Sequence, residues 1–125
     1  MSLPLTPQGV VELYGSLMRV LAEVPAQEIG TIAGAAGFDL GLIPDGLDEH
    51  GFARRPQILS GINGQWNTWS QSRRAAVLPR LAEELVRFLT ARGRAHKVDD
   101  AILKNGFCFR NGGFVPVYAA GAIAK

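Results

Sequence analysis

The stretch from Ser72 to Arg92, SRRAAVLPRLAEELVRFLTAR, is the longest part of the chain with a clean helical period. Wound at about 100° per residue, Val77, Leu78, Leu81, Leu85, Phe88 and Leu89 fall on one broad face, joined by Ala75, Ala82 and Val86. Arg73, Arg80, Glu83, Glu84 and Arg87 fall on the other. An apolar stripe this wide is what a helix docked on a globular core shows, so shorter elements must gather on it. Along its solvent face Glu83 stands four residues before Arg87, and Arg80 has Glu83 and Glu84 in reach, so the charges largely cancel. Ser70 or Ser72 supplies an N-cap and Gly93 the stop. Pro79 lacks the N–H that an interior turn requires and predicts a kink, or a junction between two pieces.

The other elements follow from similar signals. Thr6-Pro7 opens a helix, and Val10, Leu13, Tyr14, Leu17, Leu21 and Val24 line one side of it. Arg19 and Glu23 stand four apart and are expected to pair. Pro25 ends that helix and opens a second, which runs to Ala36 with Gly37 just past its stop. Pro56 opens a third segment with Ile58, Leu59, Ile62 and Trp66 in register, which Asn63-Gly64 is expected to weaken or break. Val98 to Asn105 makes a short helix with Asp99 and Asp100 at its positive end. Asn105-Gly106 is a left-handed cap, with Phe107 placed to fold back on Ile102. CFRNGGFVPV then reads as a β-hairpin over about residues 107–117, with Asn111-Gly112 at the turn and Phe109 facing Phe114. The expected fold is mainly α, a single helical domain over residues 1–125 built as a compact bundle of about five helices with a C-terminal hairpin.

A chain of 125 residues with 47% apolar and 19% charged residues is large enough to bury a core without disulfides or metals. Its apolar runs fall far short of the roughly 20 residues a bilayer span requires. The stretch MSLPLTPQG has neither a basic region nor an apolar signal core, and Cys108 has no partner for an internal bridge. A cytoplasmic location is therefore the expectation.

Charge is divided unevenly along the chain. Through Ala53 there is one base, Arg19, against seven acids; beyond it there are twelve bases against four acids. Such asymmetry lets the halves complement each other within the fold, lets molecules associate head to tail, or directs the basic half to an acidic partner. Asp45, Asp48, Glu49 and His50 form the one acidic cluster with a histidine and read as a solvated loop, since no second ligand group stands elsewhere. GTIAGAAG lacks both the GxGxxG spacing and a Walker lysine and is no phosphate loop. His50 and His96 lie in segments of opposite charge, and no nucleophile–base or paired-carboxylate set assembles from the sequence. Neither an enzyme nor a cofactor is expected.

Two functional readings remain. The order helix, short helix, hairpin is that of a winged helix-turn-helix, and the basic C-terminal half would then meet nucleic acid. Against this, the short helix would begin on two carboxylates that repel phosphate. The second reading is a protein-interaction module, adaptor or regulatory, able to associate with itself. Its candidate contact residues are Arg92, Arg94, Lys97, Lys104 and Arg110, with Trp66 and Trp69 read first as core plugs and second as interface anchors. The stretch LAEELVRFLTARGRAHKVDDAILKNGFCFRNGGFVPV, ending in Gly106-Phe107 through Gly113-Phe114-Val115, resembles small helical accessory domains of bacterial abortive-infection and related anti-phage proteins. That resemblance implies a sensing, adaptor or regulatory role beside a separate effector and transfers no catalytic residue.

Overall fold

Thr6 places its hydroxyl 3.0 Å from the Gly9 N–H and caps α1, Pro7–Ala22, as its position before Pro7 predicts. The computed structural model describes residues 6–39 and 55–117. Within them follow α2 (Ala26–Ala36), α3 (Arg55–Thr68), α4 (Gln71–Thr90), α5 (His96–Leu103), β1 (Phe107–Arg110) and β2 (Gly113–Pro116). This is a mainly α fold of five helices closed by a two-stranded antiparallel hairpin. The acidic cluster at residues 45–50 and the end of the chain past Val117 lie outside the described residues.

Helix α4 is the centre of the packing. It touches α1, α2 and α5, while α3 lies on α2 and β1 lies on α5. Leu78, Leu81, Ala82 and Leu85 are wholly buried, and they meet Leu13, Leu17, Ile29, Ile62 and Ile102 in one continuous core that reaches Phe114 of the hairpin. The stripe on α4 thus sets which face of every neighbour is apolar.

Ser70 is the α4 cap, accepting from the Arg73 N–H at 3.2 Å. Pro79 does not divide the helix: a single element spans it. Val77, Leu78, Leu81 and Ala82, all buried on either side of the proline, hold the turn by packing where its hydrogen bond is missing. Likewise α3 runs through Asn63-Gly64 without a break. Ile62 and Trp66 are buried around it, and the Asn63 side chain accepts a hydrogen bond from the Tyr14 hydroxyl. These tertiary contacts outweigh the cost of about 1 kcal/mol for each helical glycine.

Two helices end in the same way. Gly37 (φ 120°) and Gly93 (φ 69°) take the positive φ that favours glycine. The N–H groups of Phe38 and Arg94, one residue on, return to the carbonyls of Ala33 and Leu89 at 3.0 and 2.8 Å. This is the Schellman arrangement, which satisfies carbonyls that the last turn leaves bare. Arg80 adds to the α2 stop, donating to the Ala35 carbonyl at 3.2 Å and leaving Glu83 and Glu84 to pair with Arg87. Beyond it, Gln65 bonds both the N–H and the carbonyl of Asp39, at 2.8 and 2.6 Å, and fastens the chain leaving α2 to α3.

In the hairpin, Asn111 (φ 52°) and Gly112 (φ 76°) make the turn, and Phe109 stands opposite Phe114. Asp99 ties this hairpin to α5: one carboxylate oxygen accepts the Phe109 N–H at 2.9 Å and the other meets Arg110 at 2.6 Å. Asn105 ties it to α1, donating to the buried Ser16 hydroxyl at 2.6 Å and to the Glu12 carbonyl. Cys108 is buried, its Sγ 3.7 Å from the Val115 carbonyl, and serves as a packing residue.

Candidate functional site

The stop at Gly93 turns the chain so that α5 runs alongside α1, and the two helices leave a furrow between their outer faces. Lys97, Asp100, Ala101 and Lys104 recur at i, i+3, i+4 and i+7 along one side of α5, opposite Arg19, Val20 and Glu23 of α1. Together they line a hollow of about 280 Å³. A second hollow adjoins it, sharing Val20, Glu23 and Lys97 and adding Val24, Pro25, Phe88, Leu89, Arg92 and Arg94. The result is one cleft at the α1–α2 corner, with an apolar floor and charged walls.

Its walls carry five cations, Arg19, Arg92, Arg94, Lys97 and Lys104, and two carboxylates, Glu23 and Asp100. The cations are only loosely engaged. Lys97 approaches Glu23 at 3.8 Å with both side chains well exposed, a pair worth at most about 1 kcal/mol. The Arg92 guanidinium lies 3.7 Å from the centre of the Phe88 ring and, among the described residues, pairs with no carboxylate. Among the described residues, Arg19, Arg94 and Lys104 also pair with none. Arg19 and Arg92 sit at the negative C-terminal ends of α1 and α4, which favours their charge there. An apolar floor beneath cations free to change partners suits an anionic, partly apolar chain.

The candidate contact residues divide three ways. Arg92, Arg94, Lys97 and Lys104 come together in this cleft. Arg110 does not: it faces Asp99, beside a different hollow lined by Val86, His96 and Phe109. The hydrogen bond to Asp99, aided by the carboxylate charge, raises its pKa further. The tryptophans lie elsewhere again. Trp66 is 4% exposed and stacks on Tyr14 with ring centroids 3.8 Å apart, so it is a core side chain. Half-buried Trp69 packs on Phe38 at 4.6 Å, beneath the Arg73 guanidinium at 4.3 Å. Arg74 seals this end of the molecule, donating to the Trp66 and Asn67 carbonyls.

Arg19 is the cleft residue that sequence reasoning missed. Its expected partner, Glu23, turns to Lys97 instead, which leaves Arg19 as a wall of the cleft. No local signal reveals this, because the lysine comes from α5. Among the described residues no three His, Cys, Asp or Glu side chains gather as a metal-binding set, and no helix is long and apolar enough to cross a membrane.

Neither protein-family models, curated proteins nor solved structures match the chain.

Proposed function

We propose that this chain is a protein-interaction module and that the cleft between α1, α4 and α5 receives an acidic, partly apolar segment of a protein. The observation that carries this reading is the convergence of Arg19, Arg92, Arg94, Lys97 and Lys104 on an apolar floor. Cations around such a floor give an acidic segment both long-range attraction and apolar area to bury. A nucleic-acid backbone is served less well. Glu23 and Asp100 stand in the cleft and repel phosphate, and the Arg110 charge is already matched by Asp99. An adaptor or regulatory role in the cytoplasm, beside a separate effector as in bacterial anti-phage systems, fits a small module of this kind.

The test is fluorescence anisotropy with two labelled probes, a peptide of alternating glutamate and leucine and a single-stranded oligonucleotide of equal charge. The expected result is binding of the peptide that weakens with salt and is lost in R92E/R94E/K97E, while the circular dichroism of that variant stays helical. Tighter binding of the oligonucleotide, or equal peptide binding by the variant, would overturn the proposal.

A further inference from the structure

The hollow between α1 and α5 has the shape of a seat for a third helix. Lys97 meets Glu23 at one end of it, and Asn105 meets Ser16 at the other, at 3.8 and 2.6 Å. Between those two contacts the chain covers seven residues on α1 and eight on α5, rises of about 10.5 and 12 Å in opposite directions. Rises so nearly equal mean two almost antiparallel helices with a straight furrow between them. Every residue lining the hollow lies on α1 or α5 or caps one of them. Its middle is low, because Val20 is buried and half-buried Ala101 ends at a methyl group. A side chain that small lets a neighbouring backbone come close, at the roughly 8–10 Å between axes that packed helices keep. Resting on the reading above, we infer that the occupant of the cleft is an acidic amphipathic helix of a partner protein, with carboxylates seven residues apart.

A helix, rather than an extended segment, follows from the backbone. An extended chain carries a row of N–H and C=O groups that need partners, which a sheet edge supplies when a strand is added to it. The interior N–H and C=O groups of α1 and α5 are spent within each helix, so an extended segment laid over Val20 and Ala101 would bury its own groups unpaired. A helix arrives with those groups already satisfied. Charge then sets where its acids stand. Lys97 and Lys104 lie on one side of α5, about 10.5 Å apart along the axis, with Ala101 between them. Carboxylates at i and i+7 of a helix lying alongside repeat that spacing, and apolar residues at i+3 and i+4 fall over Ala101 and Val20. Arg19 faces them from α1 and takes an acid on the other flank of the occupant. Asp100, three residues after Lys97, disfavours a further acid between the two.

Fluorescence anisotropy with the full chain compares the alternating glutamate–leucine peptide with a second of the same length and composition, re-ordered so that leucines stand at i, i+3, i+4 and i+7. The re-ordered peptide is expected to bind about tenfold tighter. It is also expected to gain helix on binding, read by circular dichroism as signal beyond the sum of the two components. A proline at its centre is expected to weaken it about 100-fold. K97A/K104A is expected to weaken it about tenfold while keeping its own helices. Equal or tighter binding by the alternating peptide, binding without gained helix, a proline peptide that binds undiminished, or full binding by K97A/K104A would overturn the inference. If the alternating peptide still binds and R92E/R94E/K97E abolishes that binding, the cleft keeps its proposed role and only the helical occupant is lost. Absence of binding by both peptides removes that role as well.

Discussion

Replacing Asp99 by alanine removes two bonds that hold the hairpin on α5. One carboxylate oxygen takes the Phe109 N–H at 2.9 Å, and a half-buried amide stripped of that acceptor has no ready substitute. A hydrogen bond to a charged acceptor is worth about 1.5–3 kcal/mol. The other oxygen meets Arg110 at 2.6 Å, yet the two side chains are 58% and 35% exposed, and screening limits the pair to about 1 kcal/mol or less. A further loss of about 0.3–1 kcal/mol comes from taking a negative charge out of the first turn of α5. Asp99→Ala is therefore expected to cost about 2–4 kcal/mol. Asp99→Asn keeps an acceptor for Phe109 and is expected to lose about half as much. Arg110→Ala is expected to lose under about 1 kcal/mol. Urea denaturation followed by circular dichroism gives these differences, and hydrogen exchange at the Phe109 amide shows whether the hairpin opens locally first. A loss for Asp99→Ala below about 0.5 kcal/mol, or a loss for Arg110→Ala as large as that for Asp99→Ala, would refute the assignment of the backbone bond as the main latch.

Leu85, wholly buried in α4, is expected to cost about 2–5 kcal/mol when cut to alanine, and a loss under about 1 kcal/mol in urea unfolding would remove α4 from the centre of the fold. Burial pushes the Tyr14 phenol above the ordinary tyrosine range, against a smaller lowering by the Arg74 charge. The folded chain then keeps that proton where the unfolded chain releases it, so the contribution is full below about pH 10 and declines as pH rises, by at most about 1.4 kcal/mol per pH unit. Tyr14→Phe is expected to flatten this alkaline decline in pH-dependent unfolding; equal slopes in both proteins would contradict it. Gly37→Ala is expected to destabilise by about 1 kcal/mol or more, because φ is 120° and an added Cβ would lie 3.2 Å from Arg80 Nη1. An unchanged urea midpoint would show that the α2 stop carries no strain.

Local signals were enough for the elements whose ends are set by their own residues. Thr6, Ser70, Gly37, Gly93 and Asn111-Gly112 act within a turn of where they stand, and the structure places caps, stops and the hairpin turn at those positions. Sequence failed where distant residues decide. The continuity of α3 past Asn63-Gly64 depends on Tyr14, 49 residues away. A local miss is smaller: the short helix runs His96–Leu103, two residues earlier at each end than the expected Val98–Asn105, on a turn in which the Lys97 N–H bonds the Arg94 carbonyl. Of the candidate contacts, the four that are close in sequence stayed together, because Gly93 and α5 bring them to one furrow. Arg110 lies six residues past Lys104, and the hairpin carries it to Asp99 instead. The pairing of α1 with α5 is what adds Arg19 to the set, and no periodicity within either helix encodes it.

The claim on which the functional account rests is that the cations at the ends of α1 and α4 and along α5 act as one site. Backbone amide chemical-shift mapping by NMR, during titration of the chain with the glutamate–leucine peptide, addresses it residue by residue. The account expects shifts that saturate together at Arg19–Val24, Phe88–Arg94 and Lys97–Lys104, with Trp69 and Arg110 unmoved. Shifts centred on the hairpin or around Trp69, or a weak drift over the whole basic half that never saturates, would contradict it.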